Sequence, residues 1–133
     1  MHKIQRLCLT IILSLSTTIP ALAEDLFVIS NPDTVLTSEN IREVFLGEKQ
    51  FAGAVKIVPV DNSAAQENFL SKVVKIDSAR YNTAWAKKGF RDGIPQPAIK
   101  SGDAEVIRFV KSTPGAIGYV TTESRGVTVI RKY

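Results

Sequence analysis

The chain has 133 residues, with 17 Lys and Arg against 13 Asp and Glu, one Cys, one His and a formal charge of +4. Both the Cys (Cys8) and the His (His2) lie close to the N-terminus. Beyond them the sequence offers no disulfide, no imidazole base, no Ser-His-Asp triad and no Cys/His zinc cluster, which removes the commonest hydrolytic and metal chemistries.

Residues 1–23, MHKIQRLCLTIILSLSTTIPALA, read as a cleaved export signal: Lys3 and Arg6, an apolar run from Leu7 to Leu15, then Ala-Leu-Ala before Glu24. The run is shorter than the about 20 residues a membrane span needs. Cys8 stands inside it rather than after it, a poor position for a lipoprotein anchor. Cleavage after Ala23 would place Glu24 to Tyr133, 110 residues, in the periplasm as one domain with a modest core. It would also remove Lys3 and Arg6 and leave 15 basic against 13 acidic residues, near +2. So small a charge does not argue for nucleic acid, and any membrane contact is expected to be peripheral.

In chain order, residues 26–30, LFVIS, predict a short strand buried on both faces. Asn31-Pro32-Asp33 turns the chain. TSENIREVFLG predicts a helix, with Thr37 or Ser38 at its start, Leu36 stapled on Ile41, and Gly47 just past its end. EKQFAGA reads as a loop and residues 55–60, VKIVPV, as a strand in which Pro59 belongs near the end or on an edge. A helix from about Ala64 to Lys75 follows, with Ser63 and Gln66 spaced as a capping box.

After Asp77-Ser78, ARYNTAWAKKGF predicts another helix, ended by Gly89, with Tyr81, Trp85 and Lys88 on one side. RDGIPQPAIK reads as a loop because two prolines oppose regular pairing. Ser101 or Asp103 caps a last helix whose stripe is Val106, Ile107 and Val110, and Pro114 stops it. AIGYV and VTVIRK are the final strands, close enough in sequence to form an antiparallel pair. The order β-α-β-α-α-α-β-β predicts an α/β fold, a mixed central sheet flanked by helices.

Three stretches, taken together, resemble the phosphate-binding proteins of ABC transporters, of the type II periplasmic-binding-protein fold. PGAIGYV after SGDAEVIRFVKST is the most specific; LTSENIREVFLGE and VKIVPVDNSAAQENFLSKV agree with it in order and spacing. The likeness covers nearly all of residues 24–133. It implies a single lobe, the second of the two such proteins have, with an anion loop at Asp61, Asn62, Ser63, Ala64 and Ala65. That family's loop runs Arg, any residue, Asp-Gly-Ser-Gly-Thr. Here Asp61 and Ser63 match; Pro59 stands for the arginine, Asn62 and Ala64 for the glycines, and Ala65 for the threonine. An arginine-phosphate contact is charge-assisted and about twice as strong as a neutral hydrogen bond, so any phosphate or other oxyanion is expected to bind weakly.

Other candidates have a plain structural alternative beside them. Gly118 gives room either for a packed helix or for a ligand. Ser63 is either an anion contact or a plain cap. Trp85 is either a core anchor or a ligand platform, and an aromatic at helical spacing is more often core. Arg91-Asp92 is a solvated pair or a partner contact. Lys100-Ser101-Gly102-Asp103 is a second helix start that could take a phosphate. Asp33, Glu39 and Glu43 do not make a metal site, and neither cofactor nor enzymatic activity is expected.

Two functions stay open. One is an exported solute-binding-like protein holding phosphate or another oxyanion, working with an ABC permease and rebuilding a cleft as a homodimer. The other is an interaction module of the periplasm or cell envelope that has lost the phosphate site.

Overall fold

The computed structural model describes residues 24–133; the expected signal, residues 1–23, lies outside the described residues. Strand β1 (Phe27–Ser30) leads through a 3-10 turn (Ser38–Asn40) into helix α1 (Ile41–Phe45). A hairpin of β2 (Phe51–Ala52) and β3 (Val55–Lys56) precedes β4 (Val58–Asn62). Helix α2 (Gln66–Phe69) widens into a π turn (Leu70–Val74), and α3 (Ser78–Asp92) follows. The chain ends with β5 (Ala98–Lys100), α4 (Asp103–Ser112), β6 (Ala116–Val120) and β7 (Thr128–Lys132).

One sheet runs β5-β4-β6-β1-β7. β4 is parallel to both β5 and β6, while β1 is antiparallel to both β6 and β7. This is the mixed sheet the alternation of strands and helices predicts. β1 and β6 are buried along their whole length, as apolar runs between two layers must be. Leu26, Val28, Ile117 and Tyr119 face α1, the π turn and α3. Phe27, Ile29, Val60, Ala116 and Val120 face Val106 and Val110 of α4. Side chains thus alternate between two cores along each strand. On the first face Phe69 stacks on Tyr119 at 3.8 Å, with Phe45 edge-on to both.

The closing motif has a direct steric account. Gly115 has φ of 83°, a left-handed conformation, and a Cβ there would run into the Lys56 carbonyl oxygen. A Cβ on Gly118 would lie 2.7 Å from Val106 Cγ1 and 3.2 Å from Val60 Cγ2. Gly118 therefore makes room for α4 against the sheet.

Several expectations are corrected. The last two strands are not a pair: β1 lies between them and bonds to each. The segment read as a loop around Gly53 holds the β2-β3 hairpin, and the central strand starts at Val58 rather than at Val55. Helix α3 passes through Gly89 and ends at Gly93, whose φ of 68° supplies the left-handed residue the helix stop needs. The proline loop ends in β5, which begins directly after Pro97 and pairs with β4 from Ala98 onward.

Pro59 sits inside a central strand. The Val58 amide donates to Gly115 O on the β6 side, so the next nitrogen, that of Pro59, faces the opposite edge. There β5 pairs only from Val60 onward. The missing N–H falls where no acceptor stands.

Candidate functional site

The parallel part of the sheet sets the position of the site. From β4 the chain passes to α2 and α3 on the Tyr119 face; from β5 it passes to α4 on the opposite face. The two connections part at the carboxyl ends of β4 and β5, the position where open α/β sheets form a ligand crevice. The anion loop expected from the sequence, residues 61–65, forms one side of this crevice. Lys100, Ser101, Gly102 and Asp103 form the other. The Ser63 amide donates to Lys100 O at 2.9 Å and joins the two sides.

Asp61 is fully buried and points away from the crevice into the aromatic core. It accepts from Tyr81 Oη at 2.7 Å and from Tyr119 Oη at 2.8 Å. Burial raises its pKa; hydrogen bonds from Tyr81, Tyr119 and Gln66 act in the opposite direction but are outweighed. Burial, followed by the charge of Asp61, pushes both tyrosines up, so both remain protonated donors.

Asn62 is also fully buried. Its Nδ2 donates to Asp103 Oδ1 at 2.8 Å and to Tyr119 O at 3.0 Å, and its Oδ1 accepts from the Ala64 amide at 3.0 Å. Asp103 in turn accepts from the Thr121 amide and from Thr121 Oγ1 at 2.6 Å. Asn62 and Asp103 thereby tie together the ends of β4, β6 and α4. The Ala65 amide donates to Asn62 O at 3.0 Å, and its side chain is buried.

Of the five expected residues, Ser63 and Ala64 are the exposed ones. The amides of Ser63, Ala64 and Ala65 are all donated within the protein. Ser63 is not the cap of α2: the cap position is Ala65, two residues later, with no side-chain hydrogen bond. The tight turn made by Asn62 displaces the expected capping box. Across the crevice, Glu105 accepts from the Ser101 amide at 2.7 Å, and that bond and the Ser101 hydroxyl hold its pKa low. Among the polar side chains of residues 61–65, that of Ser63 is the exposed one.

Trp85 is buried and donates from Nε1 to Phe45 O at 3.0 Å, which makes it a core anchor. Arg91 and Asp92 form an exposed pair at 3.3 Å. Asp103, expected at a second helix start that could take a phosphate, instead accepts from Asn62 and Thr121; Tyr81 and Tyr119 are the partners of Asp61 that the sequence does not assign. Tyr81 carried a signal in its four-residue spacing from Trp85. Tyr119 had none, because its partner lies 58 residues away.

No protein-family model and no curated protein matches the chain. Solved structures do. The PstS protein of Borrelia burgdorferi superposes with a TM-score of 0.52 at 20% identity, over 73% of this chain and 40% of its own. An ABC-type phosphate transport receptor of Vibrio cholerae gives 0.51 at 16% identity, over 82% of this chain and 47% of its own. A Clostridium perfringens protein assigned as a phosphate ABC transporter substrate-binding protein, solved with phosphate bound, gives 0.51 at 15% identity, over 82% and 46%. The chain therefore has the fold found in part of phosphate ABC transporter substrate-binding proteins. It spans less than half the length of each of them.

Proposed function

We propose that this chain is an exported solute-binding-like protein of the periplasm that holds phosphate or a related oxyanion weakly at the crevice between the ends of β4 and β5. The observation that carries this reading is the switch in chain direction at that crevice, in a fold shared with phosphate-binding proteins. Exposed Ser63 and Ala64 border it. The affinity is low because Pro59 and Ala65 replace a guanidinium and a hydroxyl, and because Asp61 and Asn62 are engaged inside the protein. One chain offers one wall. A homodimer facing two such walls would restore a closed cleft, and an ABC permease is then the natural partner.

The test is calorimetry with phosphate, sulfate and pyrophosphate beside a light-scattering mass. Saturable phosphate binding supports the reading, and a dimer mass extends it to a rebuilt cleft. No heat at millimolar phosphate overturns it.

A second reading is favoured by the internal bonds of Asp61 and Asn62. A loop whose polar side chains serve the fold suits an interaction module of the periplasm or cell envelope that has lost its anion. Absence of phosphate binding together with a specific envelope partner, recovered by pull-down and confirmed by direct binding, would favour this reading.

A further inference from the structure

A cavity lies along the amino half of β4. There β5 does not reach, and the strand edge at Val58 and Pro59 opens into a groove of about 520 Å³. That volume lies in the range of small-molecule sites, about 300–1,000 Å³. Its wall is mostly apolar, with Val58, Trp85 and Ile94 contributing. Its charged lining residues are Lys49, Lys56 and Lys100, and no carboxylate lines it. Among the described residues none of these lysines is in a salt bridge. Lys100 Nζ is held 4.5 Å over the Phe109 ring, which fixes its position beside the groove.

We propose that this groove binds a small organic carboxylate with an apolar body. Three cations around an apolar wall match a molecule with one anionic end and a hydrocarbon remainder. Inorganic phosphate fits poorly, because it would lose its hydration against carbon. A peptide added as a strand also fits poorly, because Pro59 offers the strand edge no N–H donor. The groove is centred on the amino half of β4 and shares only Lys100 with the crevice between the β4 and β5 ends.

Trp85 is the single tryptophan of the chain and lines the groove, so its emission reports occupancy. The purified protein is titrated with octanoate and with octanol, by fluorescence and by calorimetry. Octanoate is expected to give a saturable change and to bind at least about tenfold tighter than octanol, as a charge-assisted contact requires. The double variant Lys49→Ala, Lys56→Ala is expected to lose about tenfold for octanoate and little for octanol. Its fold, checked by circular dichroism, should be intact, since Lys56 is exposed and Lys49 is half-buried. Phosphate should not displace octanoate. No saturable signal by either method at millimolar octanoate overturns the proposal. Equal affinity for octanol, an unaffected double variant, or displacement by phosphate does so too. Failure of phosphate to bind at the crevice leaves this result untouched.

Discussion

Asp61 and Tyr119 meet inside the core, carboxylate to hydroxyl at 2.8 Å, 58 residues apart in sequence. The bond joins β4 to its parallel neighbour β6 and is completed by Tyr81 from α3. Tyr119→Phe removes one donor from a buried carboxylate. Loss of about 1–3 kcal/mol is expected, read by urea denaturation at neutral pH. An unchanged midpoint would mean that the bond carries no net stability.

The same carboxylate gives a pH prediction. Burial raises the folded-state pKa of Asp61 above its ordinary value. For an acid raised in this way, the linked stability is fully present below the ordinary value and is lost as pH rises through the folded value. The wild type should therefore gain stability relative to Asp61→Asn as pH falls across that window. Parallel pH profiles for the two proteins would contradict this.

Gly118→Ala places a methyl 2.7 Å from Val106 Cγ1. The overpacking should cost about 1–3 kcal/mol. Adding Val106→Ala should recover part of that loss, giving a non-additive pair in a denaturation cycle. Strict additivity would place the strain elsewhere.

Asn62→Ala removes two donations and one acceptance at the junction of β4, α4 and the Ala64 turn. Because Asp103 keeps its contacts to Thr121, the expected loss is local. The Ala64 amide should lose hydrogen-exchange protection, while the amides of β1 keep theirs. Uniform loss of protection would mean that Asn62 supports the whole fold.

Local patterns made part of this legible. The strands at residues 26–30 and 116–120 and the stripe of Val106, Ile107 and Val110, of which Ile107 is only partly buried, follow from spacing and residue type, whereas the choice between helix and ligand at Gly118 needed the position of Val106. Pairing across distance does not. β1 lies between β6 and β7, and no local feature of Thr128–Lys132 says which strand it joins. β5 is three residues long and follows two prolines, so its pairing depends on β4 being present. The crevice loop was found by its likeness to an anion loop. What Asp61 and Asn62 do there is set by Tyr81, Tyr119 and Asp103, which come from distant parts of the chain.

The oxyanion site at the carboxyl ends of β4 and β5 is a proposal open to direct test. The most direct measurement is a phosphate titration of the isotope-labelled protein followed by amide chemical shifts. Saturable shifts confined to Ser63–Glu67 and Ser101–Asp103, weakened in Ser63→Ala, are expected. No shifts at millimolar phosphate, or shifts centred on Val58 and Trp85 instead, would contradict the proposal.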